Sequence, residues 1–155
     1  NSRRAESVPE GVAFSALDDL VRRADILVLC CPLTPETTGL LDRDRIASMK
    51  RGAVLINVSR GAVIDDEALI AALREKRIGG AALDVFTTQP LPPDHAYLGF
   101  DNVIVTPHMA GITDDSMLRM GLGAVEEALR ILSGELPANL RNPEAVGHYR
   151  RRFPE

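Results

Sequence analysis

The stretch Leu55-Ile56-Asn57-Val58-Ser59-Arg60-Gly61-Ala62-Val63-Ile64-Asp65 constrains the fold more than any other part of the chain. An apolar run, Ala53 to Ile56, reads as a strand. It stops at a polar turn, Asn57 to Gly61, and a helix then begins at Asp65. Asp66 and Glu67 fall in its first turn, where negative charge meets the positive end of the helix dipole. Strand, loop and helix in that order build parallel sheets, and open α/β sheets bind ligands where such loops leave the strands. Arg60 lies in that loop. Its guanidinium is a rigid fork that holds a carboxylate or phosphate through two hydrogen bonds.

The same alternation runs along the chain. Gly11 to Phe14 reads as a short strand. Ser15 is placed to cap a helix through Arg23, with Leu17, Leu20 and Val21 on its apolar side. Asp25 to Cys30 is a continuous apolar run, the pattern of a strand covered on both faces. Pro32-Leu33-Thr34-Pro35-Glu36-Thr37-Thr38-Gly39 is a loop rich in breakers, and a short helix, Asp42 to Met49, follows. The helix from Asp65 to about Lys76 shows Leu69, Ala72 and Leu73 on one face, and Gly79 and Gly80 end its turn. Strands Ala81 to Phe86 and Val103 to Val105 are separated by a loop with Pro90, Pro92 and Pro93. Thr113 caps a helix to Leu132 whose Leu118, Leu122, Val125, Leu129 and Leu132 form a core stripe, and Gly134 stops it. The tail from Leu136 reads as irregular. The pattern predicts an α/β fold, a doubly wound parallel sheet with right-handed crossovers. Its strand ends bring Arg60, Asp84 and His108 to one edge, with Gln89 in the loop between the last two.

The 155 residues suit about one domain, and 45% hydrophobic residues suffice for a packed core. A net charge of −4 argues against a nucleic-acid surface, and Arg150 to Arg152 read as a solvated helix end or tail. No apolar run reaches the roughly 18 residues of a membrane span, and no signal peptide is expected. No metal is expected. Cys30 and Cys31 are neighbours on a strand, so they point to opposite faces and are poorly placed to pair. They read as core thiols in a reducing compartment, hence the cytoplasm.

Asn57-Val58-Ser59-Arg60-Gly61, Ala82-Leu83-Asp84-Val85-Phe86 and Thr106-Pro107-His108, in this order and spacing, resemble the D-isomer-specific 2-hydroxyacid dehydrogenases. Pro32 to Thr37 resembles that family's loop after the fourth strand. The resemblance covers nearly the whole chain. It implies a two-domain enzyme, homodimeric at full length, that reduces 2-keto acids with NADH or NADPH or runs the reverse oxidation. Glyoxylate and hydroxypyruvate are the substrates it points to. Phosphoglycerate dehydrogenase is the alternative within enzymes, and a dinucleotide-sensing binding protein the alternative outside them. By matching position, Arg60 would hold the substrate carboxylate and His108 would protonate the carbonyl oxygen. Asp84 would bond the nicotinamide carboxamide. Val58 and Ser59 would line the nicotinamide, and Cys31, Pro32, Thr37 and Gly111 would also lie along the cofactor. An imidazole suits proton transfer near neutral pH, and a fixed Arg presents the keto acid in one orientation. His95 and His148 match no motif and read as surface residues.

The chain departs from the family pattern twice. The family usually carries a Glu in the loop after Asp-Val-Phe, paired with the histidine, and here Gln89 stands there. A carboxylate would stabilise the imidazolium, whereas Gln89 orients the ring without supplying charge. Formate dehydrogenases of the same superfamily carry Gln at this place. The second departure is the missing Gly-x-Gly-x-x-Gly turn, which the family places before the present start. Residues 1–135 are therefore expected to form an incomplete Rossmann-like NAD(P)-binding domain lacking its first strands. Residues 136–155 are expected as a tail returning toward a substrate domain absent from this chain, which by itself would be inactive. The strand Asp25 to Cys30 would then lack a neighbour. Ser2, Arg3 and Arg4 fall where the adenosine ribose sits, and a Ser-Arg pair there favours NADP over NAD.

Overall fold

The computed structural model describes residues 8–152, which divide into two compact units, one up to Ala110 and one from Gly111. In the first unit the elements are α1 (Leu17–Arg23), β1 (Ile26–Leu29), α2 (Arg43–Ser48), β2 (Val54–Asn57), α3 (Asp66–Arg74), β3 (Gly80–Leu83) and β4 (Val103–Val105). The four strands form one parallel sheet in the order β1-β2-β3-β4. A strand order that advances steadily, with right-handed crossovers, puts the connecting helices on one side. In keeping with this, α2 lies against both α1 and α3.

The register decides which side chains meet that helical layer. Leu27, Leu55 and Ala81 stand in one row across the sheet, and Leu29, Asn57 and Leu83 in another. All six are buried, together with Val21 of α1, Ile46 of α2 and Leu69 and Leu73 of α3. The alternate row, Val28, Ile56, Ala82 and Ile104, faces the other way. On that side Ile26 is 61% exposed, Val28 49% and Ile104 66%. The apolar run of β1 is therefore covered on one face and not on both. Successive strand residues point to opposite sides, so such a run shows that both faces suit burial. Coverage depends on what packs there.

Among the described residues β1 pairs with β2 alone. Gly11 to Phe14 is not a strand. The chain turns there, with Gly11 at φ 81° and the Val12 amide donating to the Pro9 carbonyl at 3.1 Å. Val12 and Phe14 are exposed, and among the described residues no strand pairs with them. Ser15 does not cap α1. The N-cap is Ala16 and makes no side-chain cap bond, so the helix starts one residue later than the hydroxyl requires. Cys30 and Cys31 are unpaired; Cys30 is exposed and so is not a core thiol, while Cys31 is half-buried against the core. Both lie past the last residue of β1, and of the two only Cys31 packs against the core.

The second unit carries α4 (Asp114–Leu132) and α5 (Val146–Arg152). Thr113 and Ser116 form a reciprocal capping box at the start of α4, and Gly134 follows its end at φ 82°. The stripe Leu118, Leu122, Val125, Leu129 and Leu132 is exposed, and no residue of α4 is buried. Its spacing marks a face fit for burial that no described residue of this unit covers. The tail from Leu136 is not irregular. It holds a 3-10 turn, Pro143–Ala145, and then α5, where the Tyr149 hydroxyl donates to the carbonyls of Glu135 and, at 3.2 Å, Ile131. Arg150 to Arg152 form the exposed last turn of α5, the solvated helix end expected. No helix among the described residues is long and apolar enough to cross a membrane.

The start of α3 gives a stability test. The Asp65 carboxylate accepts from the Ala68 amide at 3.0 Å, satisfying one of the helix's orphan donors. Asp65→Ala is expected to lower stability by about 1 kcal/mol, and Asp65→Ser to recover most of it, read from denaturant midpoints.

Candidate functional site

Parallel strands end on a common edge, and here β2, β3 and β4 deliver three polar loops to it. The first loop is shaped by Asn57, the last residue of β2 and only 1% exposed. Its Nδ2 donates to the Arg60 carbonyl at 3.0 Å, and its Oδ1 accepts from the Ser59 amide at 3.0 Å. The Ser59 hydroxyl, also buried, accepts from the Arg60 amide at 2.6 Å. The Arg60 backbone is thus held on both sides while its guanidinium is exposed, with Nη1 donating to the Ser59 carbonyl at 2.7 Å. Gly61 then runs against the next loop. A Cβ at this position would stand 2.0 Å from the Phe86 carbonyl carbon and 2.2 Å from the Thr87 nitrogen, so only glycine permits the approach.

Asp84 begins the second loop and is 4% exposed. It accepts from the Thr106 hydroxyl, from the Met109 amide at 2.8 Å and from the Ala110 amide at 2.9 Å. Burial pushes its pKa up, but these hydrogen bonds and the nearby His108 imidazole outweigh burial and hold the carboxyl below its usual range. An ionised carboxylate therefore clamps the turn after β4. Within that turn His108 adopts the left-handed backbone, φ 58°, with its amide donating to the Thr106 carbonyl at 3.0 Å. A non-glycine residue there costs on the order of 1–3 kcal/mol and persists where its surroundings over-determine it. The bonds from Asp84 on either side of His108 do so.

The exposed His108 ring meets Gln89, with Nδ1 2.9 Å from Oε1. The Gln89 Nε2 donates to the Phe86 carbonyl at 3.2 Å. A carbonyl only accepts, so the amide's NH2 faces Phe86 and its oxygen faces the ring. Nδ1 therefore carries a hydrogen in this pair, which leaves Nε2 as the nitrogen that gains and loses the second proton. A cavity of about 650 Å³ adjoins the pair, walled by Phe86, Leu91, Leu98 and Val105.

The remaining expected residues are distributed as follows. In the Pro32 to Thr37 loop, the Thr37 hydroxyl donates to the Pro32 carbonyl at 2.7 Å and accepts from the Thr34 amide at 2.7 Å. Cys31 precedes this loop, half-buried. Val58 is exposed beside Arg60. Gly111 belongs to the second unit, its carbonyl accepting from the Ser116 hydroxyl at 2.7 Å. Ser2, Arg3 and Arg4 lie outside the described residues. His148 is exposed, as expected. His95 is not a plain surface residue. It is half-buried, stacks 4.7 Å from Tyr97, and its Nδ1 accepts from the Tyr97 amide at 3.3 Å. Its place after a proline-rich loop and before a 3-10 turn makes it a cap. Among the described residues no group of three His, Cys, Asp or Glu could hold a metal ion.

Sequence reasoning missed Asn57 and Thr106 as residues that shape the site. An Asn closing an apolar run, on the buried phase of its alternation, was the available signal for the first. Thr106 bonds across strands, and no local pattern marks that. The closeness of the first two loops yields a prediction. Gly61→Ala should cost about 1–3 kcal/mol of stability by forcing the Arg60 and Phe86 backbones apart, measurable by chemical denaturation.

Residues 1–110 match the family model described as D-isomer specific 2-hydroxyacid dehydrogenase, NAD binding domain. The chain is 44% identical over 141 residues to a glyoxylate reductase of Thermofilum pendens, covering 91% of this chain and 42% of the relative. It is 41% identical over 133 residues to a glyoxylate/hydroxypyruvate reductase B of Enterobacter agglomerans, covering 86% and 41%. A crystal structure of a D-isomer specific 2-hydroxyacid dehydrogenase from Xanthobacter autotrophicus Py2, in complex with NADPH and MES, superposes with a TM-score of 0.75 at 42% identity. That match covers 88% of this chain and 57% of the other. The chain thus spans about two-fifths of the length of the curated relatives it matches. Its parallel sheet, its three polar loops at one edge and the match over residues 1–110 place it among the D-isomer specific 2-hydroxyacid dehydrogenases, within their NAD binding domain.

Proposed function

We propose that the protein carrying this chain reduces a small 2-keto acid, glyoxylate or hydroxypyruvate, to the 2-hydroxy acid with NAD(P)H, or runs the reverse oxidation. The observation that carries this reading is the oriented His108–Gln89 pair, on the same sheet edge as the exposed guanidinium of Arg60. Arg60 grips the substrate carboxylate as a fork, its backbone held by Asn57 and Ser59. His108 Nε2 delivers a proton to the carbonyl oxygen and is re-protonated from solvent. Gln89 holds Nδ1–H throughout and keeps the ring turned one way.

The cofactor, when bound, supplies the hydride that reaches the carbonyl carbon. The edge suits it: Leu33 and Val58 are exposed apolar side chains just past the ends of β1 and β2. Cys31, Pro32, Thr37, Val58 and Ser59 are the residues that would line it. Asp84 has one lone-pair site left on Oδ2 for a carboxamide beyond the turn it clamps. Ser2, Arg3 and Arg4 favour NADP over NAD. Residues 1–135 belong to the cofactor domain and 136–155 return toward a substrate domain. The full-length protein acts as a homodimer. Its adjacent, unpaired cysteines suit a reducing compartment, the cytoplasm.

The test is turnover of glyoxylate, hydroxypyruvate and formate with NADPH and with NADH. Reduction of either keto acid, faster with NADPH, is expected; oxidation of formate alone would overturn the reading. Arg60→Lys replaces the fork by a point charge. It should lower kcat/KM for the keto acid by about ten- to a hundredfold and leave NADPH affinity within about twofold.

Gln89→Glu adds a negative partner to the imidazolium. The protonated ring then survives to higher pH, so the alkaline limb of keto-acid reduction should move up. Oxidation needs the neutral ring, so its onset should move up with it. Superimposable pH–rate profiles in a folded mutant would remove His108 as the acid.

A further inference from the structure

We propose that Asp66 is a positioning residue that holds Gln89 against His108, an inference that rests on the reading of His108 as the proton donor. Asp66 is the first residue of α3 and half-buried. Its two carboxylate oxygens accept from two hydroxyls of a single loop. Thr87 Oγ1 donates to Oδ2 at 2.9 Å, and the Tyr97 hydroxyl donates to Oδ1 at 2.8 Å. Gln89 lies between those two tie points in the chain.

The loop needs such ties. It carries Pro90, Pro92 and Pro93, which lack the amide hydrogen that backbone pairing uses. Tyr97 is 2% exposed, 6.5 Å from the Phe86 ring and 4.7 Å from His95, so its hydroxyl has one position to offer. Burial, with Asp66 beside it, drives the Tyr97 pKa upward, so this hydroxyl remains a donor at any working pH. Asp66 is also free of capping duty. Asp65 already serves as the N-cap of α3, so the Asp66 side chain spends both oxygens on the loop.

The ties converge on one carbonyl. Thr87 is bonded to Asp66, the Phe86–Thr87 peptide is pressed by Gly61, and the Phe86 oxygen accepts from Gln89 Nε2. Holding that carbonyl in place keeps the Gln89 oxygen on His108 Nδ1. Asp66 thereby sets which ring nitrogen faces the substrate with the exchangeable proton, although it touches neither ring nor substrate.

The test uses the intact protein and compares Asp66→Asn, Gln89→Ala and the double variant. Asn retains one acceptor and loses the second. Asp66→Asn should lower kcat for keto-acid reduction by about tenfold with NADPH affinity within about twofold. The double variant should be no slower than Gln89→Ala alone, because the effect runs through Gln89. Thr87→Val and Tyr97→Phe each remove one tie and should each cost about threefold, which keeps the test open if Asp66→Asn fails to fold. The ring-nitrogen NMR shifts of His108 give a readout independent of turnover. They should report an Nδ1–H neutral ring in the wild type and a mixture of tautomers in Asp66→Asn and in the single-tie variants. Multiplying losses in the double variant, or His108 shifts unchanged in all the tie variants, would overturn the proposal. A wild type that turns over no keto acid would defeat the functional reading instead, and the ring shifts would still decide the role of Asp66.

Discussion

Buried polar groups must find partners, and at the sheet edge this requirement shapes the loops. Asn57, Ser59 and Asp84 are the buried polar residues among those described, and all three stand at the ends of β2 and β3. Each spends its side chain on backbone. Asn57 and Ser59 bond the segment through Arg60, and Asp84 bonds the amides that follow His108. Leaving any of these groups unpaired would cost about 1–3 kcal/mol. The loops are therefore as well determined as the sheet beneath them. The exposed guanidinium and imidazole can face solvent because the atoms holding them do not.

The sheet itself has two different sides. One is sealed by α1, α2 and α3, where Leu27 and Leu55 of the sheet and Leu69 and Leu73 of α3 are nearly completely buried and contribute to the apolar stabilisation of the first unit. The other presents Ile26, Val28 and Ile104. This asymmetry follows from the topology. Three parallel pairings made in succession carry every described crossover to the same side. The polar loops leave from the strand ends, so the site stands at the edge where these two sides meet.

A neutral amide beside the histidine has a definite physical consequence. A carboxylate both orients an imidazole and stabilises its charge, whereas Gln89 does only the first. Orientation then depends on which end of the amide faces the ring, and the Phe86 carbonyl decides that. Arg60, Gln89 and His108 come from separate loops, yet the Gly61 contact, the Asp66 ties and the Asp84 bonds to the turn around His108 link those loops. Packing fixes here the ring orientation that a Glu would also fix, but it does not replace that carboxylate's charge.

Local chemistry in the sequence was enough to place most elements. Asp42, Asp65 and Thr113 cap helices where their side chains reach the third amide on, and alternation of apolar runs with helical segments dictates a parallel sheet. Strand ends are legible from where apolar runs stop, which sets Arg60, Asp84 and His108 at one edge, whereas the pairing of Gln89 with the histidine is implied by the family resemblance. Sequence reasoning went astray where burial was inferred from pattern. The β1 run and the α4 stripe have the spacing of core residues, but spacing states only that a face suits burial. The Gly11 to Phe14 strand failed for a related reason, since a strand exists only by pairing. Tertiary structure alone decided that Asp84 clamps Thr106, Met109 and Ala110, that Gly61 must admit the Phe86 backbone, and that Asp66 ties Thr87 to Tyr97. Each joins residues far apart in the chain, and the distance between such atoms is set by how strands register and loops pack, which no short-range pattern encodes.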